Sequence, residues 1–207
     1  MELNKIFIVD HFCSLGTLCH TSYVLKQNTL RTVAYPFDWI FSNTDMIIDC
    51  ISDNFNKFLD KTYYYKESHH SKYGRIFVHK CPIIEENYNY YTRCVNRFNS
   101  LLTSIESKLF MMMVVNGEYN SHSESFIKLI EEFNDKLSTY TENYILLVII
   151  HFPYKNGISH TFKFKKNIHF LELHTNSKSD GVGFNPTEND YLNNIINNNY
   201  KLSIKST

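Results

Sequence analysis

The stretch Ile6-Phe7-Ile8-Val9, followed by Ser14-Leu15-Gly16-Thr17-Leu18-Cys19, decides how the chain is read. A short continuous apolar run is the pattern of a buried strand. Thr17 to Gln27 contains neither Gly nor Pro and reads as a helix. A strand therefore hands over to a helix across a turn holding Gly16, a residue suited to a tight bend or to close approach of backbone. Cys19 falls in the first turn of that helix. There the positive end of the helix macrodipole and unpaired N–H groups favour a thiolate. A thiol so placed is a candidate nucleophile or metal ligand.

Outward from this corner, strands and helices alternate. Pro36 restricts Tyr35 to extended geometry. Ser42-Asn43-Thr44-Asp45 predicts a helix start with Ser42 as N-cap. Met46, Ile47, Cys50, Ile51, Phe55 and Phe58 continue that helix at helical spacing to about residue 59. Residues 61–71 are polar and aromatic and fit neither template. Residues 75–79 predict a short strand ending in His79. Residues 87–107 predict a helix with Tyr91, Val95, Phe98, Leu101, Leu102 and Ile105 on one face. Residues 109–115 and 144–152 are strongly apolar strands. Between them, Ser121 and Glu124 form a capping-box pattern, and Phe126, Ile127, Leu129, Ile130, Phe133 and Leu137 mark a buried helix side. Residues 160–166 alternate apolar and basic, residues 167–174 form a last strand pattern, and Thr187 caps a closing helix to about residue 198.

Strands separated by helices of this length predict βαβ crossovers. Continuous apolar strands fit a parallel sheet covered on both faces. The expected fold is α/β: a mainly parallel sheet flanked by helices, a three-layer Rossmann-like sandwich, in one domain over residues 1–207. Sites in such sheets form outside the carboxyl ends of the strands, which is where Cys19 falls.

Composition narrows the function classes. The 207 residues carry 21 Lys plus Arg and 21 Asp plus Glu, so no global field attracts nucleic acid. Five cysteines without a C-x-x-C pair disfavour a disulfide framework or a four-Cys zinc site and fit reduced thiols. No apolar run approaches the 18 or so residues of a membrane span, and the first five residues lack the pattern of a signal peptide. A soluble intracellular protein is expected, without a cofactor, a metal or a membrane or nucleic-acid partner. Its expected partner is a peptide or small-molecule substrate.

Ser14-Leu15-Gly16-Thr17-Leu18-Cys19, then Leu30-Arg31, then Tyr35-Pro36-Phe37-Asp38-Trp39-Ile40 resemble the DUF1796 family of papain-like cysteine peptidases, found in bacteria and large DNA viruses. The strong match spans residues 14–42. Downstream, Phe77-Val78-His79 is similar to the family's strand ending in His, and Arg93 and Arg97 to its paired arginines on a helix. The resemblance implies a Cys nucleophile, and Cys19 is the position that matches. A papain-like enzyme also needs a His, and an Asn or Asp to orient it. A leading strand in an α/β sandwich is not the usual papain arrangement, although such triads recur on unrelated folds.

The candidate catalytic residues are Cys19, His79 as base and Asp38 as orienting carboxylate. His151 and then His11 rank below His79 as base, and Asp10 is a second candidate orienter. His20, adjacent to Cys19, diverges from it by about 100° on a helix. Gly16, Arg31, Arg93 and Arg97 are candidate substrate-binding residues, because Arg forks bind carboxylate or phosphate. Each has a structural alternative: a small buried thiol for Cys19, a strand-end residue for His79, a turn former for Asp38, and a solvated or salt-bridged face for the arginines. His69, His70, His79 and Cys81 make a weak metal pattern, since adjacent residues of an extended segment face opposite ways. Gly181-Val182-Gly183 lacks the third Gly of a dinucleotide loop. Lys163, Lys165 and Lys166 fit a solvated edge strand. Three function classes remain: a cysteine-dependent hydrolase or acyl-transfer enzyme, an α/β enzyme acting on a nucleotide, sugar or phosphate with a structural Cys19, and a non-catalytic interaction protein using the aromatic surface at 63–73.

Overall fold

The structure, a computed structural model, describes residues 6–117 and 124–204. In chain order the first half contains β1 (Phe7–Val9), β2 (His11–Ser14), α1 (Cys19–Gln27), α2 (Thr44–Ser52), α3 (Asn56–Leu59), β3 (Tyr64–Tyr65), β4 (His69–His70) and β5 (Gly74–Arg75). The second half contains α4 (Glu85–Thr103), β6 (Lys108–Val114), α5 (Glu124–Leu137), β7 (Tyr144–Phe152), β8 (Ser159–Lys165), β9 (Ile168–His174), α6 (Pro186–Asn199) and β10 (Tyr200–Leu202).

The central sheet has the order β2-β6-β7-β9-β8. β2, β6, β7 and β9 run parallel, and β8 closes the edge antiparallel to β9. The fold is thus mixed α/β with a mostly parallel central sheet, as the apolar runs at 109–115 and 144–152 require. Successive residues of those runs point to opposite faces. Phe110, Met112, Leu146, Val148 and Ile150 enter one core with Ile47, Phe58, Phe98 and Phe133 from α2, α3, α4 and α5. Leu109, Met111, Met113, Leu147 and Ile149 enter the other with Val24 and Leu25 of α1 and Leu192, Ile195 and Ile196 of α6. The edge strand β8 carries Lys163, paired with Glu172 at 2.5 Å, and Lys165, paired with Glu131. Lysines on an exposed edge resist pairing with another chain.

Several expectations need correction. Ile6-Phe7-Ile8-Val9 is not the strand that feeds the corner. β1 pairs with β10 in a separate two-stranded sheet, and Ile8 is 63% exposed. β2 enters the corner instead, and its polar ends, His11 and Ser14, hid it from an apolar-run reading. The helix predicted to residue 59 breaks after Ser52, where Asn54 and Phe55 take left-handed φ values of 55° and 59°. Asn43, not Ser42, caps α2, accepting from the Met46 N–H at 2.9 Å. Asn185 rather than Thr187 caps α6. The strand expected at 75–79 shrinks to β5 and an isolated bridge between Phe77 and Ile40, which leaves His79 in a bend. Ile105 and Leu129, placed on buried faces, are exposed. The capping residue Ser121 lies outside the described residues.

The corner after β2 is held against its own backbone preference. Gly16 and Thr17 both take left-handed φ, +77° and +69°. For a β-branched residue such as Thr17 this is a true outlier, with a cost on the order of 1–3 kcal/mol. Side chains offset that cost. The Thr17 N–H donates to Ser42 Oγ at 2.8 Å, and the Ser42 hydroxyl donates to the Leu15 carbonyl at 2.7 Å. The Thr17 hydroxyl donates to the Met113 carbonyl, and the Thr21 hydroxyl to the Gly16 carbonyl at 2.9 Å. Gly16 is needed for space as well as for φ. A Cβ there would clash with Ser42 Oγ and lie 2.8 Å from the Phe37 carbonyl oxygen.

Behind the corner, loops zip together across the carboxyl edge of the sheet. His20 of α1 is fully buried, its N–H donating to the Gly181 carbonyl at 3.0 Å and its Nδ1 lying 2.9 Å from Ser179 Oγ. His151, at the end of β7, accepts the Asn116 N–H on Nδ1 at 3.0 Å and meets Thr175 Oγ1 through Nε2 at 2.7 Å. The Phe184 ring lies between them, at 4.4 Å from His20 and 4.5 Å from His151. Burial, reinforced by His151, lowers the His20 pKa to about 4. Burial likewise lowers His151 to about 4, with Glu188 opposing.

Gly16→Ala should cost more than about 2 kcal/mol in urea unfolding, since strain and overpacking add. Gly74→Ala should cost about 1 kcal/mol, because Gly74 has nearly the same φ, +76°, but open space around it. Equal costs would show that the steric clamp at Gly16 is absent. The second prediction concerns pH. Unfolded histidines bind protons from about pH 6.5 downward, whereas His20 and His151 stay neutral in the fold to about pH 4. Stability should fall as pH drops through that window, by about 3 kcal/mol per ring. Much of the loss should disappear in His151→Gln, as measured by unfolding midpoints between pH 7 and 4.

Candidate active site

Cys19 is the first residue of α1, and Leu18 before it is extended, so the thiol stands where β2 hands over to the helix. Its Sγ lies 3.3 Å from His79 Nε2. The two residues come from separate elements. Cys19 is set by the corner, and His79 by the bend that follows the Ile40–Phe77 bridge. Tyr91 of α4 steadies that bend, its buried hydroxyl donating to the Lys80 carbonyl at 3.2 Å. Asn87 adds a second tie, donating through Nδ2 to the Cys81 carbonyl at 3.0 Å.

The electrostatics of the thiol are not those expected of an exposed helix N-terminus. Cys19 is only 3% exposed, whereas His79 is exposed. Burial raises the Cys19 pKa above its ordinary value, and its own backbone N–H pulls the other way. A helix terminus contributes about 0.3–1 kcal/mol, less than the cost of taking a thiolate out of water. Burial thus favours the protonated thiol at Cys19, beside the His79 ring. The other buried thiols are further from ionising: burial drives Cys13 well up, Cys50 to about 12 and Cys94 to about 11.

Asp38 does not turn toward His79. Its Oδ2 accepts from Arg31 Nε at 2.7 Å, from Arg31 Nη2 at 2.7 Å and from the Tyr35 N–H at 3.0 Å. Burial raises the carboxyl, and Arg31, the Tyr35 N–H and the Ser22 hydroxyl favour its charged form. A fully buried carboxylate needs such a partner, and Arg31 is it. The guanidinium carbon of Arg31 lies 5.9 Å from the Trp39 ring centre. Trp39 in turn meets His79 edge to face, with centroids 6.2 Å apart and planes at 83°. The Leu30-Arg31 and Phe37-Asp38-Trp39 segments therefore reach the thiol through Trp39 and His79. Among the described residues, the His79 ring has no hydrogen-bond partner besides Cys19.

The remaining candidates fall elsewhere. His151 has both ring nitrogens engaged in the loop network. His11 pairs with Glu106 at 2.5 Å at the amino ends of β2 and β6, away from Cys19. Asp10 is tied there too, to the Ser107 N–H at 2.9 Å and the Ser203 hydroxyl at 2.6 Å. Arg97 borders a cavity of about 480 Å³ at that same end, with His11, Tyr35, Asn96 and Ser100. Arg93 is exposed on the same helix. Gly16 builds the corner, as its contacts show. Among the described residues no group of three His, Cys, Asp or Glu side chains is placed to hold a metal ion. His70, one of the weak metal set, is buried, lies 3.0 Å from the Lys57 carbonyl through Nε2, and accepts backbone N–H groups on Nδ1.

Sequence reasoning did not assign Trp39, Ser42, Tyr91 or the 179–181 loop to the site's support. Only Ser42 left a local signal, a hydroxyl residue that was taken for a cap. Tyr91 and Ser179 act across long sequence separations that no motif spacing encodes.

No curated protein and no solved structure matches the chain. A family model described as "Putative papain-like cysteine peptidase (DUF1796)" matches residues 10–142, which hold the corner, the Arg31–Asp38 pair, Trp39 and His79. The chain belongs to the DUF1796 family.

Proposed function

We propose that the chain is a cysteine-dependent hydrolase or acyl-transfer enzyme, with a peptide or small acyl compound as substrate, on a three-layer Rossmann-like scaffold. The observation that carries this is the 3.3 Å contact between Cys19 Sγ and His79 Nε2 at the start of a helix opening from a strand. The family description supports the peptidase form of the reading. The two apolar clusters on opposite faces of the sheet support the scaffold.

In the proposed reaction the Cys19 proton moves to His79 Nε2 and the sulfur attacks the substrate carbonyl carbon. The carbonyl electron pair goes to oxygen and returns as the leaving group departs with the proton from the imidazolium. The thioester then passes its acyl group to water or another acceptor, with His79 taking the acceptor's proton. Of the corner's backbone N–H groups, that of Gly16 already donates to Ser14 Oγ, that of Thr17 to Ser42 Oγ and that of His20 to the Gly181 carbonyl, so those of Leu18 and Cys19 are the candidate donors to the oxyanion. Arg31 would serve a substrate only through nitrogen not held by Asp38.

The burial of Cys19 favours the competing reading, an α/β scaffold with a structural thiol. A thiol-reactive acyl probe with peptide mapping by mass spectrometry separates the two. We expect one dominant adduct, on Cys19, lost in Cys19→Ser. His79→Ala should slow its formation by about 10²–10⁴-fold at neutral pH. Labelling of the half-buried Cys81 with Cys19 untouched would remove the nucleophile.

A further inference from the structure

We propose that Trp39 is a positioning residue for the Cys19–His79 pair, its indole fixing the imidazole in the role a polar third member fills in other triads. This rests on the thiol enzyme reading above.

Among the described residues no polar side chain orients the ring. His79 sits in a bend, is exposed, and among the described residues has Cys19 as its only hydrogen-bond partner. An imidazole so held can rotate about two side-chain bonds, and each rotation carries Nε2 away from the sulfur. The contact that restricts it is the indole, 6.2 Å away and nearly perpendicular at 83°. Edge-to-face aromatic pairs have a preferred geometry, which a hydrophobic contact alone lacks.

The indole is itself fixed. Pro36 and Phe37 precede it in the buried turn, and the Asp38 carboxylate beside it is gripped by Arg31 through two nitrogens. That grip holds the guanidinium over the Trp39 ring at 5.9 Å. The ion pair thus acts on the thiol through two ring contacts and not through a proton. A buried carboxylate one residue from the indole, yet bonded away from the imidazole, has this use in the site.

The test compares Cys19 alkylation by iodoacetamide at pH 7 and pH 10 in the full chain. At pH 10 hydroxide forms the thiolate without the imidazole, so the ratio of the two rates separates His79-dependent thiolate formation from access to the thiol. His79→Ala should lower the ratio about tenfold or more. Trp39→Leu should lower it by a similar factor, and Trp39→Phe should restore it to within about twofold of wild type. A ratio unchanged in Trp39→Leu while His79→Ala lowers it would overturn this inference and leave the thiol enzyme reading intact. A ratio unchanged in His79→Ala would sink both. Should Trp39→Leu fail to fold, wild-type protein suffices: ring protons of His79 and indole protons of Trp39 must show mutual nuclear Overhauser effects, and their absence refutes the contact.

Discussion

The Ser42 hydroxyl holds together the corner that sets Cys19. It accepts the Thr17 N–H and donates to the Leu15 carbonyl, closing a turn in which two consecutive residues are left-handed. Without that bracket a Thr at φ +69° would relax toward ordinary backbone. The direction in which α1 leaves β2 would then change, and Cys19 with it. The same bracket presses the turn against the carbonyls of Phe37 and Ile40, leaving no room for a side chain at position 16. One hydroxyl thus couples the Cys19 corner to the Asp38–Trp39 segment, whose side chains reach His79. The two halves of the family's amino-terminal pattern are two walls of one joint.

Two electrostatic effects compete at Cys19, and magnitude decides between them. The helix terminus favours thiolate by about a kcal/mol. Burial disfavours it by more, and the net direction is upward. The same comparison settles Asp38, where burial again raises the pKa. There Arg31 is close enough to keep a buried carboxylate paired, which an isolated one could not be. The buried histidines follow the rule with the opposite sign, because burial removes the charged form of a base. His20 and His151 are held neutral against Phe184, His20 meeting the Ser179 hydroxyl through Nδ1 and His151 meeting a backbone N–H and the Thr175 hydroxyl through its two ring nitrogens.

What could be read from sequence follows from how local each cause is. β6 and β7 are covered on both faces, so their burial is written as unbroken apolar runs. Cys19 at a strand-to-helix corner followed from the absence of breakers after Thr17 and from Gly16. β2 was illegible because its four residues include His11 and Ser14, whose polarity serves Glu106 and the Gly16 N–H. β1 looked buried by composition, yet it pairs with β10 from the far end of the chain. Asp38 shows the limit most clearly. Its burial beside Phe37 and its need for a partner were legible, but the choice of Arg31 over His79 depends on where the loop turns, and residue types do not state that.

A thiol and an imidazole at 3.3 Å can rest as a neutral pair or as an ion pair, and the surroundings choose. Here the sulfur side is dry and the imidazole side is wet. Moving the proton creates an anion where water is absent and a cation where it is present. The cost therefore falls on the sulfur. Groups that would lower it must be donors facing Sγ, and among the described residues the Cys19 N–H has that effect on the thiol. A carboxylate on the imidazole would stabilise the cation, which water already solvates. The Asp38 carboxylate is instead spent on Arg31 and the aromatic contacts, which fix geometry. In this site the scarce quantity is orientation of an exposed ring toward a buried sulfur, and a rigid indole supplies it without adding a charge to the mouth of the site.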